Sequence, residues 1–317
     1  MQNEARQKDN HMNQNPITVV IGTDMETDVG SFTPYYEGLT KGTPLLLDLF
    51  EETDVTTTFL FTGDSVEAHP EVARECLARG HEVGSHSLQH ETVGDPLFDL
   101  PGTKPILEHE VLPRLRLNTE LIEQATGVRP VSFRCPRLWG STAVVRALDE
   151  LGYVADLTYP MYFHREQFAP YFSSLEDWTQ RGDSSVLQIP NFADMVMESN
   201  DPGLERDRDQ WPLFRTKGGR YMLERSMAFK QFCDGKQIDT YLCFYIHPWE
   251  FWPMEKSYNF GEATVIPESF ITENVGPGAI DELRILIEGL KAEGAVFMQA
   301  KDVPALVRER QSQRVGV

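Results

Sequence analysis

Basic residues are in short supply: 29 lysines and arginines face 49 acids, leaving a formal charge of −20. A field of that sign repels nucleic acid and anionic membranes over long range, so neither is expected as a partner. Cysteine is scarce as well. Cys76, Cys135, Cys233 and Cys243 show no short paired spacing, which excludes a zinc ribbon and a CxxC redox pair. No run of 18 apolar residues exists, so no membrane-crossing helix is expected. The first fifteen residues, MQNEARQKDNHMNQN, lack the apolar core of a secretory signal and read as a flexible polar leader. Together with the unpaired thiols this gives a cytoplasmic expectation. Phosphate-binding glycine loops, a Gly-x-Ser-x-Gly elbow and internal repeats are also missing, which argues against nucleotide-driven and serine hydrolase chemistry.

What the 317 residues do contain is an alternation of strand and helix patterns. Ile17–Ile21, Val55–Phe61, His81–Ser85, Val131–Arg134, Tyr153–Asp156, Val186–Ile189, Thr240–Ile246 and Ala295–Met298 read as strands. Between them, Thr43–Glu52 places Leu45, Leu46, Leu49 and Phe50 on one helical face, and His69–Arg79 is opened by Pro70 and closed by Gly80. Glu108–Thr126, Thr142–Leu151 and Ala279–Lys291 read as further helices. Repeated βα units predict an α/β fold, a closed or nearly closed barrel of seven to eight mostly parallel strands, with an open doubly wound sheet as the alternative. Residues 16–317 are read as one domain. The stretch 192–239 is too long for an ordinary βα connection and is expected to be an insertion over the cleft.

Chemistry-bearing residues gather at the predicted strand ends. His86 and His90, in GSHSLQH, are four apart, a spacing that one helical turn would place on a common face. Asp24 and Glu26 alternate as the first strand ends, so both can face the mouth of the fold. Two imidazoles and a carboxylate suit zinc, with cobalt or nickel as alternatives, and Asp28 competes with Glu26 as the acidic ligand. The second carboxylate, Asp24, is then free to act as base. His247 follows TYLCFYI and is flanked by Trp249 and Phe251, a setting for a proton donor. Arg134 can pair with Asp24 and keep it ionised. Trp139 and Trp249 are expected in the pocket wall. In a parallel α/β structure all these strand ends open on one side. The pattern reads as a hydrolytic metal centre.

The stretches VVIGTDMETD, TTTFLFTGDSVEAHPEVARECLARGHEVGSHSLQH, VRPVSFRCPRLWG and CFYIHPWE resemble the polysaccharide deacetylase family, the NodB-homology or carbohydrate esterase family 4 group, from about residue 16 to 300. The resemblance implies a distorted, often incomplete (β/α) barrel and a divalent metal used to remove N-acetyl groups from sugars. It implies Asp24 as catalytic base, His86 and His90 as metal ligands, Arg134 as support for the base and His247 as acid. Most members have two adjacent aspartates where this chain has Asp24-Met25-Glu26. That spacing is similar to a subgroup of intracellular peptidoglycan deacetylase-like, cyclic imidase-like and allantoinase-like proteins. The expectation is therefore hydrolysis of a non-peptide C–N bond, in a saccharide or else a small amide or imide. A non-catalytic carbohydrate-binding or scaffolding protein is the alternative, and a homo-oligomer is left open.

Overall fold

In the computed structural model, which describes residues 16–30 and 32–315, the predicted alternation forms one curled sheet. The polar leader expected at 1–15 lies outside the described residues. In chain order the strands are β1 (Thr18–Met25), β2 (Thr58–Phe61), β3 (Glu82–Ser85), β4 (Ser132–Phe133), β5 (Ala155–Asp156), β6 (Tyr171–Phe172), β7 (Leu187–Gln188), β8 (Tyr241–Ile246), β9 (Tyr258–Asn259), β10 (Thr264–Val265) and β11 (Val296–Phe297). Strand β1 is the hub. It pairs in parallel with β8 over Thr18–Thr23, with β2 over Gly22–Met25, and with β11 at Thr18 and Val19. From β2 the parallel order runs through β3, β4, β5 and β7, with β6 antiparallel at the edge.

The sheet then returns on itself. Beyond β7, Asn191 bridges Cys243 of β8, and the Phe192 N–H donates to the Cys243 carbonyl at 2.8 Å. The result is a distorted, mostly parallel barrel, as expected, closed through a single short contact; the open-sheet alternative does not apply. The sheet holds nine strands: the eight expected, Ala295–Met298 among them as β11, and the two-residue antiparallel β6 at its edge. β9 and β10 form a separate hairpin near the site.

Period-two alternation along β1 sets up the interior. Val19, Ile21 and Met25 belong to the large outer core, where they meet helices α1 (Thr43–Glu52), α2 (Pro70–Ala78) and their neighbours. In α1 the fully buried face is Leu46, Leu47, Leu49 and Phe50, with Leu45 only half-buried. Val20 faces the other way, into a smaller cluster with Leu60, Leu157, Ile189 and Cys243, joined by Val303 and Val307 of the C-terminal helix. Gly22 and Asp24 continue that inner face upward. An apolar plug therefore lies beneath a glycine and then a carboxylate.

Helices α3 (Glu108–Thr126) and α4 (Thr142–Leu151) end at Gly127 and Gly152, both left-handed at φ 75° and 80°. Helix α4 starts where the Ser141 side chain accepts from the Val144 N–H. The excursion at 192–239 differs from expectation. Its second half is a regular helix, α5 (Gly219–Gly235), burying Met222, Phe229 and Cys233, so the Gly218-Gly219 turn marks a helix start. Only about 194–218 is irregular, and Arg206, Asp209 and Trp211 from it line the cavity described below. α6 (Pro277–Ala292) packs alongside through Leu283, Leu286, Ile287 and Leu290.

Two glycine substitutions test this packing with opposite signs. A Cβ on Gly84 would lie 2.6 Å from both Leu60 Cδ2 and the Ser132 carbonyl, with backbone on one side that cannot yield. Gly84→Ala is expected to lower stability by about 1–3 kcal/mol in urea titration. Gly278, at the start of α6, has nothing within 4 Å of its added Cβ, so Gly278→Ala should raise stability by roughly 0.4–1 kcal/mol. A Gly84→Ala protein as stable as the parent would refute the packed interior described here.

Candidate functional site

The deepest charged pair in the barrel anchors the site. Asp24, on the inner face near the end of β1, accepts from Arg134 Nη1 at 2.6 Å through Oδ1. Arg134 follows β4, is wholly buried, and donates also to the carbonyls of Leu157 (3.0 Å), Gly22 (3.2 Å) and Phe244 (3.4 Å) and to Asn191 Oδ1 (3.4 Å). A Cβ on Gly22 would sit 2.4 Å from Nη2, so glycine is what makes room for the guanidinium. Burial, the largest single effect, depresses the arginine's pKa, but the charges of and hydrogen bonds to Asp24 and Cys243 together raise it. With Oδ1 engaged, Asp24 Oδ2 is the atom left toward the cavity, 3.8 Å from His86 Nε2 and 4.0 Å from His247 Nε2.

Glu26, His86 and His90 come together as the expected cluster, their ligand atoms all within 4.8 Å of one another and all three residues buried. The route differs from expectation: residues 86–90 are not a helical turn. Ser87 and His90 take left-handed backbone (φ 68° and 54°), and the Gly63 and Asp64 amides hold the loop by donating to the Ser87 and Leu88 carbonyls. The imidazoles still converge, with ring centroids 5.2 Å apart. His86 Nδ1 lies 2.8 Å from the Arg134 carbonyl, which only accepts, so Nδ1 carries the proton and the Nε2 lone pair faces Glu26 Oε2 at 3.7 Å. His90 Nε2 stands 2.6 Å from the same oxygen, yet Glu26 Oε2 is buried without a hydrogen bond among the described residues. Two imidazole nitrogens and an orphaned carboxylate oxygen aimed at one point fit a divalent cation. Burial raises the Glu26 pKa, but His90, His86 and His247 hold it well below the ordinary range; burial pushes His90 down.

Asp28, the competing ligand, is elsewhere. Its carboxylate accepts from the Gly38 and Glu37 amides at 2.8 and 3.1 Å, closing its own loop, and burial lifts its pKa to about 6. Trp139 also needs correction. It is 1% exposed, packs edge-on to Phe98 and does not line the cavity; Arg137, Leu138 and Phe98 do. Trp249 does line it, stacked on His247 at 4.9 Å, with Nε1 3.4 Å from Glu26 Oε1.

Behind His247 stands a buried chain that sequence patterns did not single out. His247 Nδ1 lies 3.0 Å from Glu250 Oε1, and Glu250 Oε2 accepts from Arg215 Nε at 2.7 Å. Arg215 also donates to the carbonyls of Ile271 (2.7 Å) and Glu273, tying the segment beside the cavity into the network. The only signal was Glu250 three residues after a histidine that opens a turn, the reciprocal cap pattern. Burial opposes protonation of His247, yet the Glu250 hydrogen bond and the charges of Glu26, Glu250 and Asp24 raise its pKa. These groups surround a cavity of about 540 Å³, walled largely by Val29, Phe32, Phe98, Trp211, Ile266 and Phe270.

A family model for polysaccharide deacetylase matches residues 28–155, a span that includes His86, His90 and Arg134. Over that span the chain is similar to the polysaccharide deacetylase family. A peptidoglycan-N-acetylglucosamine deacetylase from Bacillus cereus is 27% identical over 111 residues, 35% of this chain and 47% of that enzyme. The chain spans 20–60% of the length of the first curated relatives it matches. Among solved structures, a candidate polysaccharide deacetylase from Mycobacterium smegmatis has a TM-score of 0.60 at 19% identity, covering 95% of this chain and 93% of the other. An allantoinase has the same TM-score of 0.60 at 17% identity, covering 93% and 91%. At such identities these structures establish the fold alone.

The His247–Glu250 contact gives a pH prediction. In metal-free protein the His247 ring should titrate above its ordinary 6.5. Because the folded-state pKa exceeds the unfolded one, the imidazolium adds stability below about pH 6.5 that is lost as pH rises through the folded pKa. Glu250→Gln should lower the His247 pKa, read by NMR of the ring nitrogens. An unchanged pKa would show that Glu250 does not hold the charge.

Proposed function

We propose that this protein is a metal-dependent hydrolase of non-peptide C–N bonds, in which Glu26, His86 and His90 hold the ion. The supporting observation is the convergence of three differently supported groups on one cavity: Asp24 braced by Arg134, the Glu26 cluster, and His247 braced by Glu250. The donor set of two imidazoles and one carboxylate favours zinc. A bound divalent ion would polarise the amide carbonyl and acidify water at this position.

The protein's own groups then divide the proton work. Asp24 Oδ2 takes the proton of the attacking water while Arg134 keeps Oδ1 occupied and the carboxylate oriented. As the C–N bond breaks, His247 Nε2 gives a proton to the departing nitrogen, without which an amide anion would be a very poor leaving group. Glu250 fixes the donor's tautomer and charge through Nδ1. Trp249 and Trp211, both against the His247 ring, limit water at that nitrogen.

On substrate, the matched relatives include enzymes named chitin deacetylase and peptidoglycan-N-acetylglucosamine deacetylase, which supports N-deacetylation of an N-acetylated sugar. A second reading, a small amide or imide, is favoured by the mainly apolar surface that Val29, Phe32, Phe98, Ile266 and Phe270 give the cavity. The four buried thiols support a reducing compartment, and we propose the cytoplasm.

A panel of chitooligosaccharides, N-acetylated monosaccharides and small cyclic imides, assayed with and without a chelator, tests the reading. Chelation should abolish turnover and zinc should restore it. Asp24→Asn should lower kcat by roughly 10²–10⁴-fold with metal stoichiometry unchanged. Full activity in Asp24→Asn, or activity that survives chelation, would defeat the proposal.

A further inference from the structure

Arg137 is a charged group of the cavity, beside the proposed ligands, that the reaction above does not use. It lines the chamber beside the proposed metal ligands, donating through Nη1 to the carbonyl of His90 at 3.2 Å, the residue whose Nε2 reaches Glu26. The other two guanidiniums buried around the site each face a carboxylate: Arg134 meets Asp24 and Arg215 meets Glu250. Arg137 has no carboxylate within 4 Å among the described residues; the Glu26 charge acts on it from farther off, and the rings of Phe32 and Trp139 lie at 5.9 and 5.8 Å. Its burial is sufficient to push its pKa down.

Holding a cation there is costly. A half-buried guanidinium with one carbonyl partner and a more distant carboxylate loses hydration that the protein replaces only in part. The backbone adds to the cost: Arg137 and Leu138 are both left-handed (φ 59° and 60°), a conformation that costs non-glycine residues of order 1–3 kcal/mol each. Two unfavourable features at one cavity residue are explained together if a ligand supplies the missing anion. The acids nearby are committed or peripheral. Asp209 accepts from the Tyr245 hydroxyl, Glu26 faces the histidines, and Glu268 is exposed at the lip.

We propose that Arg137 is a specificity residue that binds a carboxylate of the substrate close to the scissile amide, the substrate being a compact acid with an apolar body. The inference rests on the amide-hydrolase reading and sharpens it. A planar guanidinium matches a carboxylate in a two-point geometry that an ammonium does not. Attachment of Arg137 to His90 keeps the anion within a few bonds of the reacting carbonyl. Phe32, Phe98, Trp211, Ile266 and Phe270 then take the apolar remainder.

The test compares matched acid and neutral probes in the parent, Arg137→Gln and Arg137→Lys. For turnover the probes are N-acetylphenylalanine and its neutral carboxamide with the zinc-loaded enzyme, with N-acetylglucosamine oligomers as the saccharide arm. For binding they are 3-phenylpropionate and 3-phenylpropanamide, titrated calorimetrically into metal-free protein. Arg137→Gln should reduce the acid-to-amide preference by roughly 10- to 100-fold, and Arg137→Lys should recover part of it. An unchanged ratio in Arg137→Gln, in a variant that still binds the neutral probe, overturns the inference and leaves amide hydrolysis standing. An Arg137-dependent binding preference with no hydrolysis of any amide supports the anion site and defeats the hydrolase reading instead. Preferred turnover of the sugar oligomers, insensitive to Arg137, overturns the proposed substrate class.

Discussion

The ion pair between Arg134 and Asp24 is the constraint on which the rest of the interior is built. A guanidinium with no solvent exposure is tolerable only because a carboxylate oxygen and three backbone carbonyls surround it. Those carbonyls belong to β1, the segment after β5, and β8, so the arginine stitches together elements separated along the chain. It also explains the glycine at position 22, where any side chain would occupy the guanidinium's place. Below it the barrel is apolar, and above it lie the ionisable groups Glu26, His86, His90 and His247. Arg134 marks that boundary and, by occupying one oxygen of Asp24, leaves a single oxygen for chemistry.

Much of this was legible in the chain because strand ends are easy to read and side chains alternate along strands. Val20, Gly22 and Asp24 share a face for that reason alone, and Glu26 follows by the same period. Helix limits at Thr43, Glu108 and Thr142 were equally plain, since proline, glycine and serine mark them chemically. Pairings across long separations left no such trace. Arg215 meets Glu250 across 35 positions, and neither residue type is unusual on a surface. The loop at 86–90 misled differently. Histidine spacing matched a helical turn, but Phe61, Ser85 and the Gly63 amide already fix where that chain must go, and the loop turns by left-handed residues instead. Trp139 shows the limit of reading aromatics, since a large ring serves a core and a pocket equally well.

The spacing of Asp24 and Glu26 has a physical consequence. Adjacent acids on a strand point to opposite faces, whereas i and i+2 point the same way. Glu26 also lies just past the end of β1, and its extra methylene lets Oε2 reach His90 and Oε1 face His247 and Trp249. Asp28, next in the series, does not join them, because the Glu37 and Gly38 amides claim both of its oxygens. The acidic run is thereby sorted into three tasks by its surroundings rather than by its composition.

Charge bookkeeping across the cavity then bears on what enters it. Asp24 is balanced by Arg134 and Glu250 by Arg215, leaving Glu26 to face His247 and whatever the two ligand histidines hold. A divalent ion on Glu26, His86 and His90 carries one net positive charge, and Arg137 adds another within a chamber whose apolar walls screen poorly. Arg206, over Phe98 at 4.6 Å, is offset by Asp209, and Glu268 also lines the cavity. The protein as a whole carries −20, so Arg137 is a local exception to the global sign. On the proposed reading, a compact acid would gain from Arg137 an ion pair that an extended neutral polysaccharide would not.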